Sequence, residues 1–336
     1  MRQNIMFMPH ISLPDMEFLN QSVLSHFILL GFPVTKGIQP FLFLAFFVIY
    51  FMSLTCNLLI MAVAYWDQKL HCPMYFFISI FSFLEICYTS VTMPRLLRDL
   101  LSDDKIIPIQ FCVVQFYFLF VLGSTENFLL SSMAYDRYVA ICNPLRYNSI
   151  ITHRACVFLV LGAWMGGFLA PLMPLIFLSV SAFCGSNIID HFYCDFSPLL
   201  HHFCITDGIY IIETIFFLLA CIVILGNFVF ISTSYGLVIS IIAKIPSRKG
   251  RRKTLSTCGS HLTVVCLFYG SIIFMYVRSD HSTPTQVDKV VSLFYSIITP
   301  TLNPLIYGLR NEDIKQALRR AVKMIKKIQI SSITFL

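Results

Sequence analysis

The sequence predicts an all-α membrane protein, in which a bundle of seven transmembrane helices is followed by a short amphipathic eighth helix. Two observations predict this fold. Of the 336 residues, 57% are hydrophobic and only 12% are charged, whereas a soluble domain normally carries about twice that charged fraction. The apolar residues also form seven runs, each long enough to cross a bilayer, which takes about 20 residues of helix. A soluble helix rarely stays apolar on every face for that length, so we interpret the runs as membrane spans.

The seven predicted spans occupy residues 40–309 and follow one another through mostly short connections. Their approximate bounds are 40–65, 73–97, 111–138, 155–178, 208–242, 255–277 and 288–309. Three spans contain an acid in their interior or near one end, at Glu85, Glu126 and Glu213. The sequence has no internal repeat, low-complexity tract or second domain, so we expect a single bundle that binds any ligand within itself.

The distribution of Lys and Arg predicts the orientation of this bundle. Segment 243–254 carries six positive residues and no acid, and the tail from Arg310 carries seven positive residues against two acids. Segment 179–207 has three Asp and no Lys or Arg. Because positive loops stay in the cytoplasm, we expect residues 1–39 outside the cell and residues 310–336 inside. The net charge of +7 therefore reflects membrane topology and does not indicate nucleic-acid binding.

The two termini carry features that agree with this orientation. Asn20 begins an Asn-Gln-Ser acceptor for N-glycosylation on the predicted outer side. Residues 1–20 lack the continuous apolar core of a cleavable signal, so the first span is expected to act as the insertion signal. In the tail, an apolar stripe lies opposite Lys and Arg, and it consists of Ile314, Leu318, Val322 and Ile325. This pattern predicts an amphipathic helix on the anionic inner leaflet, with a disordered basic tail as the alternative.

Four of the twelve cysteines lie at or beyond the predicted outer face: Cys112, Cys184, Cys194 and Cys204. That side is oxidising, so an even number of cysteines there predicts two disulfides. Their number alone allows three pairings. Segment 191–195, with His201 and His202 nearby, offers an alternative, because its His, Cys and Asp residues suit zinc or copper. A metal site would need Cys194 to be free of a disulfide.

Asp136, Arg137 and Tyr138 place two charges where the third span is expected to meet the cytoplasm. One interpretation is an interfacial ion pair whose long arginine side chain reaches water. The other is a switch, in which Asp136 holds Arg137 in one state and releases it toward a cytoplasmic partner in another.

Asn303, Pro304 and Tyr307 lie near the inner end of the seventh span and favour the switch. A proline inside a helix removes one backbone hydrogen bond and loosens the helix locally. The polar side chains of Asn303 and Tyr307 can satisfy the backbone groups that this leaves unpaired.

Glu85 and Glu126, with Asn57 in the first span, place polar groups deep in the predicted bundle. One interpretation is a hydrogen-bonded cluster with Asn57, Ser131 or Asn303, in which one carboxylic acid is protonated. The other is a cation site that must empty or collapse on activation, because acids inside a membrane are functional by default. The sequence leaves both interpretations open.

Seven short motifs follow one another along the chain: FILLGFP (27–33), PMYFF (73–77), MAYDRYVAIC (133–142), Ser234-Tyr235, KTLSTCGSH (253–261), FYG (268–270) and NPLIYGLRN (303–311). With Asn57, Glu85 and Trp164 they resemble the rhodopsin-like G-protein-coupled receptors. Within that superfamily the chain resembles an olfactory receptor over residues 20–328. It departs from the family at Glu85, where Asp is usual, at two places in KTLSTCGSH, and in residues 1–15, which precede a more usual start at Met16.

The resemblance implies a disulfide between Cys112 and Cys194, and therefore a second one between Cys184 and Cys204. It also implies a ligand pocket in the outer half of the bundle, under segment 179–207. The residues placed there are Leu119, Phe120, Gly123, Ser124, Leu219, Ala220, Val223, Tyr269, Ile272, Ile273 and Tyr276. They form an apolar set with a few hydroxyls, and we expect Tyr269 and Ser124 to bond a ligand oxygen.

These positions disfavour several classes of ligand. Amine receptors of the superfamily carry Asp where Leu119 stands, and retinal proteins carry Lys near position 297, which is Ile297 here. No Lys or Arg is expected deep in the pocket, so a carboxylate is disfavoured. A small neutral volatile with one ketone, alcohol, ester or ether oxygen fits best, and its size predicts micromolar binding at most.

The resemblance also implies a route from ligand to partner. Arg137, Tyr235 and Tyr307 would rearrange, together with His261 on a sixth span that lacks the proline of most relatives in the superfamily. The basic segment 244–253 would contact a heterotrimeric G protein of the stimulatory, olfactory type, which raises cyclic AMP. Membrane lipids are the other expected partners, the plasma membrane is the expected location, and no cofactor or metal is expected.

The sequence leaves three other functions open. The chain could be a rhodopsin-like receptor for another small apolar ligand outside the nose. A transporter would need polar groups through the bundle and usually repeat symmetry. An intramembrane enzyme would need a nucleophile or metal set at one depth, which Glu85 and Glu126 alone do not supply. We therefore expect no catalytic residues.

Overall fold

The computed structural model confirms the predicted fold class, because seven helices of the described chain are long and apolar enough to cross a membrane. It describes residues 24–200, 202–204, 209–244, 246–276 and 286–334, so Asn20 lies outside the described residues. Spans one to seven are Gln39–Trp66, Pro73–Leu101, Ile109–Cys142, His153–Leu169 with Leu172–Val180, Ile209–Ala243, Arg248–Tyr276, and Gln286–Leu293 continued by Phe294–Ile298 and Thr299–Arg310. A tail helix, Glu312–Thr334, follows.

Two spans are irregular within the membrane region. Span four is interrupted at Ala170 and Pro171, where a ring without an N–H cannot continue the helical hydrogen bonds. Span seven contains a π-helical turn over Phe294–Ile298, a feature that is frequent at functional sites. Span six begins at Arg248, well before the predicted residue 255. The prediction marked only the apolar run, whereas the preceding Lys and Arg residues are good helix formers and extend the helix.

A small sheet covers one end of the bundle. Strand β1 (His26–Leu29) pairs antiparallel with β2 (Ile106–Pro108) and parallel with β3 (Ile188–Ile189). Phe27 and Leu29 on alternate positions of β1 are buried, which is the pattern of a strand with one face on a core. This sheet was not predicted from the sequence.

Two disulfides lie at the same end and confirm the expected pairing. Cys112 at the start of span three joins Cys194, with Cα atoms 5.5 Å apart. Cys184 joins Cys204, with Cα atoms 5.0 Å apart. We call this the disulfide end, and the opposite end, where Arg137 lies, the Arg137 end. We call the sheet with segments 181–200 and 202–204 the lid.

The tail helix packs against the Arg137 end. Ile314 and Ala317 are buried against the bundle. Arg320 Nε donates to Asp67 Oδ2 at 2.7 Å, which ties the tail helix to the connection after span one. Val322 is 51% exposed, so the apolar stripe continues beyond the contact with the bundle.

We expect the Cys112–Cys194 disulfide to be required for surface expression. A disulfide contributes about 2–5 kcal/mol, a large part of the 5–15 kcal/mol that usually separates folded from unfolded states. Cys112→Ala and Cys194→Ala should each strongly reduce antibody staining of intact cells. Cys266→Ala, which removes an exposed free thiol, is the matched control and should stain normally. Normal staining of both disulfide variants would contradict this role.

Candidate functional site

A cavity of about 390 Å³ lies in the half of the bundle nearest the disulfide end, within the size range of small-molecule sites. Spans three, four, five and six form its walls, and Tyr88 of span two, Tyr193 of the lid and Tyr295 of span seven complete it. Most of the side chains that line it are aliphatic or aromatic. No Asp, Glu, Lys, Arg or His belongs to the lining among the described residues.

Eight of the eleven residues expected in the pocket line this cavity: Leu119, Phe120, Gly123, Ser124, Leu219, Ala220, Val223 and Ile272. The Ser124 hydroxyl has no hydrogen-bond partner among the described protein atoms, so it is available to a ligand. Ile273 is outside the lining because it follows Ile272 by one residue and therefore points about 100° around the helix. The side chain of Tyr276 lies outside the described residues.

Tyr269 differs from the expectation, because it stands behind the cavity wall. Its hydroxyl donates to Asn127 Oδ1, its ring lies 5.1 Å from that of Phe228, and only 1% of it is exposed. Asn127 itself lines the cavity and donates from Nδ2 to the Val223 carbonyl at 3.3 Å. Tyr269 therefore contacts the ligand region through Asn127, a residue that the sequence analysis missed.

The contacts of Asn127 belong to a wider polar network below the cavity. Asn227 Nδ2 also donates to the Val223 carbonyl, at 2.8 Å, and Ser131 donates to Asn227 Oδ1 at 2.6 Å. The network joins spans three, five and six. The sequence shows Asn and Ser residues inside apolar runs. It does not show which residues they bond, because the packing of the helices sets their hydrogen-bond partners.

Tyr295 is a second lining residue that the sequence analysis missed. It lies in the π-helical turn of span seven, with its ring 5.5 Å from that of Tyr88. Its hydroxyl occupies the space beside Gly123, where an added Cβ would overlap it. The absence of a side chain at Gly123 is therefore what lets Tyr295 reach span three.

The Asp136–Arg137 pair has the geometry of a closed ion pair. Arg137 Nε donates to Asp136 Oδ2 at 2.8 Å, and the Tyr147 hydroxyl donates to Asp136 Oδ1 at 2.7 Å. Asp136 is buried, while Tyr138 is partly buried. The carboxylate thus holds one partner from span three and one from the short helix Tyr147–Ile150.

The other residues of the expected switch surround this pair. Asp136, Arg137, His261 and Tyr307 line one small cavity. The Tyr235 hydroxyl lies 2.6 Å from His261 Nδ1, which joins spans five and six. His261 Nε2 and the Tyr307 hydroxyl are buried without a hydrogen-bond partner among the described residues. The sixth helix is continuous here, and Pro304 lies inside the helix of span seven.

We call the buried polar residues Asn57, Glu85 and Glu126 the polar core. They form only part of the hydrogen-bonded cluster expected from the sequence. Asn303 Nδ2 donates to Glu85 Oε1, whereas Asn57 Nδ2 donates to the Ser53 carbonyl of its own helix. Glu85 Oε2, Glu126 Oε1 and the amide oxygens of Asn57 and Asn303 are buried with no hydrogen-bond partner among the described residues. Oxygen atoms of this kind suit a hard cation, but no group of three His, Cys, Asp or Glu in the described part of the chain is placed to hold one, so both interpretations stay open.

The lid is anchored to span seven by Lys289, which was not predicted from the sequence, and by His191, which the sequence pointed to only as a metal ligand. Lys289 is buried, pairs with Asp190 and donates to the Gly31 carbonyl at 3.3 Å. His191 Nε2 lies 3.3 Å from the Ser292 hydroxyl. Burial and the nearby Lys289 charge lower the pKa of His191 to about 4. The charges of Asp190 and Asp288 act in the opposite direction.

These contacts weigh against the zinc or copper site that was the alternative for segment 191–195. Cys194 is in a disulfide, and His191 is engaged with Tyr193 and Ser292. Within the described chain, no group of three His, Cys, Asp or Glu is placed to hold a metal, and His201 lies outside it.

Comparison with known proteins gives one family. The family described as "Olfactory receptor" matches residues 46–326. Olfactory receptor 11G2 of Homo sapiens is 49% identical over 301 residues, covering 90% of this chain and 87% of that protein. Olfactory receptor 6N1 of Homo sapiens is 44% identical over 310 residues (92% and 99%), and Olfactory receptor 6E1 of Mus musculus is 43% identical over 309 residues (92% and 98%).

Acidification is expected to destabilise the lid through His191. Its pKa is about 4 in the folded chain and 6.5 ordinarily, so the unfolded chain takes up the proton first as pH falls. The free energy of unfolding should therefore decrease below pH 6.5, by about 2 kcal/mol at pH 5. Thermal unfolding of the purified protein in detergent, from pH 7.5 to 5, measures this decrease.

The variant His191→Gln should lose this component of the acid sensitivity. His26→Gln is the control, because it changes another lid histidine that is only partly buried. An equal acid effect in the native chain and in His191→Gln would contradict the assignment.

Proposed function

This chain belongs to the olfactory receptor family, and from that premise we propose that a small neutral volatile binds in the 390 Å³ cavity and activates a stimulatory G protein that raises cyclic AMP. The family consists of odorant receptors that couple to G proteins and cross the plasma membrane several times. We further propose that the disulfide end faces outward and the Arg137 end faces the cytoplasm.

The observation that carries the proposal is the lining of the cavity. It is mostly apolar and carries no ionisable acid or base among the described residues, so a charged ligand would lose its hydration without gaining a counter-ion. Ser124 offers one hydroxyl without a protein partner. A ligand of about ten heavy atoms gains roughly 0.3–0.8 kcal/mol per atom, which corresponds to micromolar affinity at best.

The proposed route to the partner starts at the cavity wall. A ligand that displaces Asn127 would disturb its hydrogen bond to Tyr269 on span six. Span six also carries His261, which bonds Tyr235 beside the Asp136–Arg137 pair. Movement of this helix would therefore open the pair. We propose that a cation bound near Glu85 and Glu126 supports the resting state, because their unpaired oxygen atoms suit a hard cation.

The basic segment 244–253 fits the coupling surface. Its residues from Arg248 onward form the first turns of span six, so the positive charge moves with that helix. Arg248 and Arg251 are exposed at the Arg137 end. A rigid basic helix end would steer an acidic partner surface.

The first test compares Ser124→Ala with Tyr269→Phe on two agonists of the same shape, one oxygenated and one a hydrocarbon. Ser124→Ala should raise the half-maximal concentration for the oxygenated agonist by up to about tenfold, because a hydrogen bond contributes roughly 0.5–1.5 kcal/mol. It should hardly affect the hydrocarbon. Tyr269→Phe should shift both agonists alike, because the lost hydroxyl bonds Asn127. The measurement is cyclic AMP against concentration at matched surface expression.

A selective effect of Tyr269→Phe on the oxygenated agonist would place its hydroxyl at the ligand and refute the indirect role. An equal effect of Ser124→Ala on both agonists would show that Ser124 does not bond the ligand oxygen.

The second test concerns Arg137. Arg137→Ala should abolish the cyclic AMP response while surface labelling stays near normal, because the charge serves coupling more than packing. Arg98→Ala is the matched control, since Arg98 is exposed near the disulfide end of span two. A normal response of Arg137→Ala per labelled receptor would refute the switch.

A further inference from the structure

The ligand cavity is not enclosed on all sides. Two of its lining residues are exposed on the outside of the bundle, Leu169 to 60% and Leu219 to 38%. They belong to spans four and five. The described lining residues from spans two, three, six and seven are buried or only partly buried. The side of the cavity nearest the outside of the bundle is therefore the gap between spans four and five.

The packing of the helices explains this gap. Span four packs against spans two and three, and span five packs against spans three and six. Span four is interrupted at Ala170 and Pro171, and both residues line the cavity. One turn earlier lies Gly166, where an added Cβ would come within 2.8 Å of the Phe128 ring. Small residues and a broken helix leave space beside span three that no side chain fills.

The described part of the lid closes the cavity toward the disulfide end. Phe192 and Tyr193 are buried, and the next residue, Cys194, is bonded to span three. Lys289 holds the same segment to span seven through Asp190. A ligand entering from this side would have to displace the lid, which is held both by the disulfide to span three and by the Lys289–Asp190 ion pair.

We propose that apolar ligands reach the cavity from the hydrocarbon of the bilayer, through a portal lined by Gly166, Leu169, Ala170, Pro171 and Leu219. The portal lies within membrane spans, so its mouth faces lipid and not water. Each methylene favours the bilayer by about fourfold, so a six-carbon volatile is enriched there by roughly three orders of magnitude. The inference rests on the proposed ligand function of the cavity.

The test measures entry chemically and needs no signalling. A thiol is introduced into the cavity by Ser124→Cys, and the receptor is placed in lipid nanodiscs. N-phenylmaleimide is the neutral, lipid-soluble reagent, and a trimethylammonium methanethiosulfonate is the charged one. Mass spectrometry of the peptide containing position 124 gives the labelling rate, relative to the exposed thiol of Cys72 in the same sample.

Three substitutions in span four and one lid variant separate the routes. Leu169→Trp narrows the portal and should slow N-phenylmaleimide labelling by about threefold to tenfold, tenfold being a barrier increase of about 1.4 kcal/mol. Leu169→Phe should give a smaller effect in the same direction. Leu161→Trp adds the same ring at an exposed position of span four that does not line the cavity, and should change little. Asp190→Asn loosens the lid and should also change little.

The outcomes discriminate clearly. Slower labelling only in the portal variants, with the charged reagent excluded, supports entry from the bilayer. Faster labelling in Asp190→Asn with no effect of either Leu169 variant would overturn it in favour of entry through the lid. Labelling by the charged reagent as fast as by the neutral one would overturn it too. A receptor that is labelled as proposed but does not signal to any volatile would refute the proposed function and leave the portal standing.

Discussion

The covalent bond between Cys112 and Cys194 is the constraint on which the disulfide end of this receptor depends. It fixes the middle of a loop to the start of span three, and that fixed point places Tyr193 over the cavity. Strand β3 of the same loop then lies where β1 can pair with it. Lys289 and His191 add contacts to span seven, but they act on a segment whose position is already set.

The seven spans could be predicted because each is a long apolar run, and a bilayer permits few structures other than a helix for such a run. The disulfide pairing and eight of the described residues that line the cavity followed from the resemblance of ordered motifs. The interruption at Ala170 was missed although Pro171 and Pro174 were visible, because hydropathy alone does not separate a kinked helix from a broken one. The lid strands are two to four residues long, too short for a periodic pattern to indicate them.

Side-chain partners were the part that the sequence could not supply. Tyr269 and Ser124 both looked like ligand contacts, yet the hydroxyl of Tyr269 bonds Asn127 and that of Ser124 does not bond the protein. The difference is a matter of rotamer and of which neighbour comes within 3 Å. Lys289 was similarly inconspicuous, because its burial depends on Asp190 and Gly31, which are distant in the chain.

The contact between Tyr295 and Gly123 makes the two positions mutationally interdependent. Any side chain added at Gly123 meets the tyrosine hydroxyl, while removal of the tyrosine ring leaves a space that the glycine cannot fill. A single substitution at either position therefore damages this wall before it can change ligand preference. Under the proposed function, a change of odorant preference at this wall is expected to need paired substitutions, whereas the side of the cavity formed by Leu169 and Leu219 can vary one residue at a time.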